Sequence, residues 1–200
     1  MSSIIFDFET LSKDPNTCVV VSMALLPFDE EVFLSDDPYD FDKLVFLTNY
    51  IKFNVEEQVK TYKRSIEQDT LDWWMKQSSD ARKMIQPSKL DRSIRGLSRF
   101  ITDHVNIKTL KSAYVRGASF DPVILESVFR SIGQPCPIHW AKIRDTRSFI
   151  DGLAYGTNIK NNFMIDDLKD KIVLHNPVHD VVLDVLRMQL LIRAYFSDKN

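Results

Sequence analysis

Four acidic residues and one histidine stand where the chain could present them to a single substrate. Asp7 and Glu9 are two residues apart in an apolar segment, so on a β-strand both carboxylates point to the same side. Asp121 follows a glycine-containing turn and opens a helical segment, and His179 and Asp184 lie near the start of the last one. Oxygen-only ligands are typical of Mg²⁺ or Mn²⁺ sites, and clustered carboxylates repel one another unless cations neutralise them. Two such ions beside a phosphodiester can bind its attacking and leaving oxygens together.

Each of these motifs also has a purely structural interpretation. Asp7 and Glu9 could face solvent at the end of a strand, and Asp121 could be a helix-terminal carboxylate favoured by the helix dipole. His179 and Asp184 could be a surface histidine and a solvated aspartate. The presence of all three motifs in one chain favours catalysis.

The choice of histidine depends on where the last helix starts. His179 precedes Asp184 by five positions, which on a continuous helix places the two side chains ~140° apart. They converge only if His179 lies at the helix entrance, which the Asn176-Pro177 turn allows. His175 is the local rival. It lies too early for this spacing, and we expect it to be a loop residue whose loss has little effect on the rate.

The order of the motifs resembles the histidine branch of the DEDD superfamily of 3′-5′ exonucleases, the DnaQ-like enzymes of ribonuclease H-like fold. The resemblance runs over nearly the whole chain and is closer still to phage exodeoxyribonucleases of the exonuclease A (DexA) type. The similar segments are Ile5–Thr10, Trp73–Trp74, Gln77–Ser78, Ala81–Lys83, Arg116–Asp121, Arg144–Arg147 and His179–Asp180.

This resemblance implies removal of 5′-mononucleotides from the 3′ ends of DNA, above all single-stranded DNA, with two Mg²⁺ or Mn²⁺ ions. It implies that Asp7, Glu9, Asp121 and Asp184 are the metal ligands. One ion would be held by Asp7, Asp121 and Asp184, and the second mainly by Asp7 with Glu9 near. His179 would be the general base, a task that suits the ordinary pKa of histidine. Short RNA is the alternative substrate, and an inactive nucleic-acid-binding module is the alternative from another class.

Other residues could contact the substrate. Thr10 and Leu11 directly follow the first acids and resemble family positions that contact the terminal nucleotide. Trp73 and Trp74 would point ~100° apart on a helix, so one can pack in the core while the other stacks on a base. Burial of both tryptophans is the alternative. Phe120 could meet a base, although a core position is favoured.

Three arginines lie near the acidic motifs in the sequence and could hold a phosphate through a bidentate contact. They are Arg116, Arg144 and Arg147. Because Asp145 stands between the last two, an internal salt bridge is an equally good interpretation for them.

The elements that must position these residues alternate between strand and helix. Strand patterns occupy residues 2–8, 17–26, 43–53, 113–116 and 141–145. Helical patterns occupy much of 54–106, then 121–131 and 180–196, and an exposed loop is expected over 29–42. Short links between the first strands predict an antiparallel meander, and later strand–helix alternation indicates a mixed α/β sheet, the class of the ribonuclease H-like fold.

Composition is that of an ordinary globular protein. The 200 residues, 44% hydrophobic and 27% charged, suit a single exonuclease domain over residues 1–200. The longest apolar stretch is too short to cross a membrane, and the N-terminus lacks the apolar run of a signal peptide. Two cysteines suit a reducing compartment, so we expect the cytoplasm, that of the host cell if a phage encodes the chain. The net charge of −2 disfavours a non-specific nucleic-acid coat protein but suits an enzyme that meets phosphate through cations.

Overall fold

A five-stranded mixed sheet lies at the centre of the computed structural model, which describes residues 1–197. Its strands are β1 (Ser3–Thr10), β2 (Val20–Phe28), β3 (Asn49–Lys52), β4 (Ser112–Val115) and β5 (Ile143–Asp145). Their order across the sheet is β3-β2-β1-β4-β5, with β1, β2 and β3 antiparallel and β1, β4 and β5 parallel. The predicted antiparallel meander and mixed sheet are confirmed.

Helices flank this sheet. Within the described residues the α-helices are α1 (Phe41–Leu47), α2 (Val55–Tyr62), α3 (Gln68–Met75), α4 (Ser79–Ile85), α5 (Leu97–His104), α6 (Asp121–Ser131), α7 (Thr146–Leu153) and α8 (Pro177–Ser197). Short 3₁₀ helices occupy Glu30–Leu34, Ile94–Gly96, Trp140–Lys142 and Asp166–Leu168. No helix within residues 1–197 is both long enough and apolar enough to cross a membrane.

The central strand β1 divides the core into two layers. Ile4 and Phe6 pack on one face of the sheet, in a cluster with apolar residues of α5 and α6. Ile5 belongs to the cluster on the opposite face, which contains the apolar side of α8. Because side chains alternate along a strand, Asp7 and Glu9 share the face of Ile5, as predicted, and so lie on the side of α8.

The expected exposed loop over 29–42 is more ordered than its acidic composition suggests. It contains the 3₁₀ helix Glu30–Leu34, and Phe33 of that helix is buried. The Phe33 ring stacks on Phe28 of β2, with centroids 5.6 Å apart. Tyr39, also buried, exchanges hydrogen bonds between its backbone and the Gln189 side chain, so aromatic burial and long-range hydrogen bonds together hold this segment against the core.

The segment 43–53, expected to be one strand, is divided between α1 and β3. Asp40 starts the helix, because its side-chain Oδ1 accepts the N–H of Lys43 at 2.7 Å. Helical spacing then buries Leu44 in the core, and only the residues from Asn49 onward pair with β2. Burial on a helix therefore outweighs the β-branched and aromatic composition of this segment.

The last helix begins earlier than the predicted range 180–196. Helix α8 starts at Pro177, and the Oδ1 of the preceding Asn176 accepts the N–H of Val178 at 3.1 Å, as an N-cap residue does. Proline is favoured at a first helical position because its missing N–H would have no partner there. His179 therefore lies within the first turn of the helix.

A smaller cluster fastens α3 to the end of β1. It consists of Leu11, Val19, Val21, Trp74 and Ala81. Trp74 is 1% exposed, and its Nε1–H donates to the carbonyl oxygen of Thr10 at 3.0 Å. The adjacent Trp73 is 40% exposed. One tryptophan is thus in the core and the other reaches the surface, the first of the two arrangements considered above.

We expect Trp74→Phe to lower the free energy of unfolding by about 2 kcal/mol, because it leaves the buried Thr10 carbonyl without its donor and removes part of a packed ring. The matched variant Trp73→Phe should lower it by less than about 1 kcal/mol, since that indole is partly exposed. Urea unfolding followed by circular dichroism measures both values. Equal losses in the two variants would contradict the assignment of Trp74 to the core.

Candidate active site

Acidic side chains from three elements line one pocket near the carboxyl ends of β1 and β4. The pocket has a volume of about 410 Å³. Asp7 and Glu9 come from β1, Asp121 is the first residue of α6, and Asp180 and Asp184 come from α8. Residues from all three predicted motifs therefore lie together, although they are more than 170 positions apart in the chain.

Burial and mutual repulsion disfavour the charged forms of these acids. Burial, followed by the carboxylates of Asp121 and Glu9, raises the pKa of Asp7 well above its usual range. Burial, followed by the Asp180 carboxylate, does the same to the pKa of Glu9. Burial raises the pKa of Asp121 to about 7, and burial together with the Asp184 carboxylate raises the pKa of Asp180 to about 7. Such a set of acids gains from binding protons or cations.

One hydrogen bond places α6 against the first motif. The backbone N–H of Phe8, between Asp7 and Glu9, donates to Oδ1 of Asp121 at 3.1 Å. The chain reaches this position from β4 through Gly117, whose φ of 124° is a conformation that side-chain-bearing residues rarely adopt. A glycine turn and a single donor thus bring the third acid beside the first two.

The histidine that lines this pocket is His175. One ring nitrogen of His175 and one carboxylate oxygen each of Glu9 and Asp180 lie within 4.8 Å of one another, a group that could hold a metal ion. The backbone N–H of His175 donates to Oδ2 of Asp180 at 3.1 Å, and the ring stands edge-on to Trp73 with centroids 4.7 Å apart. His175 is a loop residue, as expected, and the loop places it among the residues that line the pocket.

His179, the predicted general base, lies behind this loop. Its Nδ1 accepts the N–H of Val173 at 2.9 Å, and its ring is edge-on to Phe41 with centroids 5.4 Å apart. Among the described residues, those that line the pocket include His175 and not His179. The predicted convergence of His179 with Asp184 is wrong, because α8 starts at Pro177 and the helical step of five residues turns the side chains ~140° apart.

Asp184 lines the pocket, and its carboxylate is bound by other side chains. Its Oδ1 accepts from Nη1 of Arg116 at 2.7 Å and from Nη1 of Arg187 at 2.8 Å. Its Oδ2 accepts from Oγ1 of Thr146 at 2.6 Å. The Asp184 carboxylate is thus the centre of an ion-pair cluster that also holds the Arg116 guanidinium, and both residues line the pocket. Asp180, one helical turn earlier, also lines the pocket and lies near Glu9 and His175.

The other two predicted arginines differ in their surroundings. Arg147 is exposed and lines the pocket. Arg144 donates from Nη1 to two carbonyl oxygens of its own segment, each at 2.8 Å. Within residues 1–197, it is not among the residues that line the pocket. Asp145 accepts two backbone N–H groups and caps α7, in place of the salt bridge considered above.

A second groove, of about 260 Å³, adjoins the pocket and shares Glu9 and Phe120 with it. The exposed indole of Trp73 and the residue Thr10 also line this groove. Phe120 is only partly buried and packs against the core from the same position. Leu11, by contrast, is 6% exposed and belongs to the small cluster around Trp74.

Three residues that line the pocket were not predicted as site residues from the sequence: His175, Asp180 and Arg187. A signal for the first two is present, because their spacing repeats the His-x-x-x-x-Asp pattern that was assigned four residues later. Pro177 between them marks the start of the helix and leaves only His175 in the loop. Asp180 and Arg187 then share one helical face with Asp184, at steps of four and three residues.

The chain is similar to known exonucleases in sequence. The family model of the 3′-5′ exoribonuclease Rv2179c-like domain matches residues 2–185. The exodeoxyribonuclease of Enterobacteria phage T4 is 30% identical over 213 residues, which cover 96% of this chain and 90% of that protein.

Solved structures of exonuclease I have a similar fold. E. coli exonuclease I in complex with a 5cy-dT13 oligonucleotide matches 98% of this chain with a TM-score of 0.56 and 13% identity. Exonuclease I from Methylocaldum szegediense matches 96% of it with a TM-score of 0.52 and 13% identity. This chain spans 42% and 39% of those two chains, respectively. The likeness confirms the predicted ribonuclease H-like α/β fold.

The acidic cluster predicts a stability that falls as the pH rises when divalent ions are removed. The pKa values of Asp121 and Asp180 are raised from 3.8 to about 7, so the unfolded chain loses these protons first and the folded state loses stability between those values. In EDTA, the melting temperature of the wild type should decrease as the pH is raised from 5 to 7.5. The melting temperature of Asp180→Asn should decrease less over this range, and at pH 7.5 it should be roughly 3–8 °C higher than that of the wild type. Differential scanning fluorimetry measures this, and parallel curves for the two proteins would count against the repulsion.

Proposed function

We propose a substrate and a mechanism from the premise that the chain belongs to the family of 3′-5′ exoribonuclease Rv2179c-like domains and is a 3′-5′ exonuclease. The proposed reaction is hydrolysis of the terminal phosphodiester of single-stranded DNA at a free 3′ end, with release of 5′-mononucleotides. The observation that supports it most is the pocket that Asp7, Glu9, Asp121 and Asp180 line together with His175. We further propose that residues 1–200 act as one exonuclease domain in the cytoplasm.

The donor set of the pocket fits hard divalent cations. The four carboxylates offer only oxygen ligands. Burial raises the pKa of all four, and neighbouring carboxylates raise the pKa of Asp7, Glu9 and Asp180 further, so a bound cation would favour their charged forms. Asp7, Glu9, Asp121 and Asp180 would hold two Mg²⁺ or Mn²⁺ ions. Such ions, when bound, supply positive charge beside the scissile phosphodiester and lower the pKa of a water molecule.

His175 is the proposed general base. Burial lowers the pKa of His175 from its usual value, which favours the neutral ring that can accept a proton at physiological pH. Its ring nitrogen lies within 4.8 Å of oxygens of Glu9 and Asp180, so a water molecule beside these acids would be within reach of the ring. The edge-on contact with Trp73 limits rotation of the ring.

The groove beside the pocket offers a path for the bases. Trp73 is partly exposed there, and aromatic faces stack on bases regardless of sequence. Glu9 lines both cavities, so a strand whose bases occupy the groove would have its terminal phosphodiester at the acids. The exposed Arg147 at the pocket is the arginine best placed to meet a phosphate.

The substrates of the similar proteins favour DNA over RNA. The phage T4 relative is an exodeoxyribonuclease, and the similar E. coli enzyme was solved with a dT13 oligonucleotide. The name of the matching family favours RNA, so short RNA stays the second candidate. The complete set of acids in one pocket favours either enzyme over the inactive binding module considered from the sequence.

Matched DNA and RNA 20-mers labelled at the 5′ end test substrate, direction and metal dependence together. With Mg²⁺ or Mn²⁺, the DNA should give a ladder of labelled products that shorten from the 3′ end, and EDTA should abolish it. Asp7→Asn is the inactive control. Immediate release of the labelled 5′-terminal nucleotide would contradict the direction, and faster degradation of the RNA would favour the second candidate.

We expect His175→Ala to lower kcat by roughly 10² to 10⁴, the usual contribution of a general base. Affinity for a single-stranded DNA should change little, because the acids and the aromatic groove remain. Added imidazole should restore part of the rate, since it can occupy the space of the missing ring. Steady-state kinetics and fluorescence anisotropy measure these effects, and a kcat near that of the wild type would remove His175 from the mechanism.

A further inference from the structure

A second histidine, outside the pocket, binds the loop that contains His175. His179, in the first turn of α8, accepts the N–H of Val173 on its Nδ1 at 2.9 Å. The ring also contacts Phe41 of α1 in an edge-on arrangement, with a centroid distance of 5.4 Å. Half-buried between the loop and α1, His179 lies where it can fix the loop without entering the pocket.

The hydrogen bond assigns the tautomer of His179. A nitrogen that accepts an N–H uses its lone pair and has no proton, so in the neutral ring the proton is on Nε2. The basic lone pair of His179 is therefore engaged by Val173. This ring is an acceptor in the structure of the loop and has no free nitrogen with which to take a proton from water.

The loop needs such support because its conformation is unfavourable in itself. His175 has a φ of 62°, in the left-handed region that residues with a side chain rarely adopt. A residue stays in that region only where its surroundings hold it. Val173 N–H on His179 fixes the loop before His175, and His175 N–H on Asp180 fixes the residue itself. Both acceptors belong to the first turn of α8.

We propose that His179 is a positioning residue, whose Nδ1 holds the loop so that the ring of His175 stays beside Glu9 and Asp180. The proposal rests on the proposed role of His175 as general base. A base must be within hydrogen-bond reach of its water, and a displacement of about 1 Å can lower a rate by about 10². Loss of the acceptor should therefore reduce the chemical step and spare substrate binding.

Two substitutions separate the acceptor from the ring. His179→Phe keeps an aromatic ring against Phe41 but removes the acceptor, and we expect kcat to fall about 10- to 100-fold with KM within about threefold of the wild type. His179→Asn gives up the ring but offers an amide oxygen close to the place of Nδ1, and kcat should stay within about fivefold of the wild type. Phe41→Leu, which removes the ring contact and keeps His179, is the control for lost packing and should also stay near wild type.

The kinetics of all variants are measured on the same single-stranded DNA, well below the melting temperature of each variant. The shift of each melting temperature on addition of Mn²⁺ tests whether the acids still bind the ion. Equal loss of kcat in His179→Asn and His179→Phe overturns the proposal, and so does a wild-type kcat in His179→Phe. Rescue of His179→Ala by imidazole would make His179 the base and also overturn it. Retained activity in His175→Ala would remove the proposed general base and with it this proposal, whereas the absence of metal-dependent shortening of the DNA from its 3′ end would overturn the proposed function itself.

Discussion

Carboxylates that repel one another inside a partly closed pocket are the constraint that the surrounding structure accommodates. Asp7 and Glu9 lie on the same face of one strand, so rotation of their side chains cannot move either of them to the other side of the sheet. Burial raises the pKa of both groups, and neighbouring acids raise each pKa further. A fold that keeps such a group must provide hydrogen-bond donors, opposite charges or cations.

Backbone donors and arginines meet part of this need. Phe8 N–H binds Asp121, and Arg116 and Arg187 together bind Asp184. The two guanidinium groups exceed the single carboxylate they bind by one positive charge. That charge acts on the neighbouring Asp180, whose pKa the two arginines lower in opposition to burial. The two arginines thus favour the charged form of Asp180, whereas the Asp184 carboxylate that they bind raises the pKa of both Asp180 and Asp7.

The first turns of α8 serve several purposes because successive side chains on a helix point ~100° apart. His179 projects toward Phe41 and the Val173 loop, and the next residue, Asp180, projects into the pocket. The same helix contributes Asp184 to the ion-pair cluster and apolar residues to the core. A shift in the start of this helix would therefore move the acid, the loop and the core contacts at once.

Much of this arrangement is determined by the sequence alone. Alternation along β1 places the first two acids on one face, Gly117 and Pro122 favour a turn and then a helix at Asp121, and the order of the acids is typical of the nuclease family. These are local properties, since each depends on residues that are neighbours in the chain. The division of the two tryptophans between core and groove follows from helical geometry, although only packing decides which of them is buried.

The tertiary structure decided which histidine enters the pocket. The sequence contains two overlapping His-x-x-x-x-Asp spacings, and spacing alone does not distinguish His175–Asp180 from His179–Asp184. The choice follows from the helix start at Pro177 and from partners that are distant in the chain: Phe41 beside one ring and Trp73 beside the other. The Asp184 carboxylate is likewise paired with Arg116, which comes from the end of another strand. These contacts depend on how sheet and helices pack, so the physical reason for the choice lies in long-range packing and charge pairing.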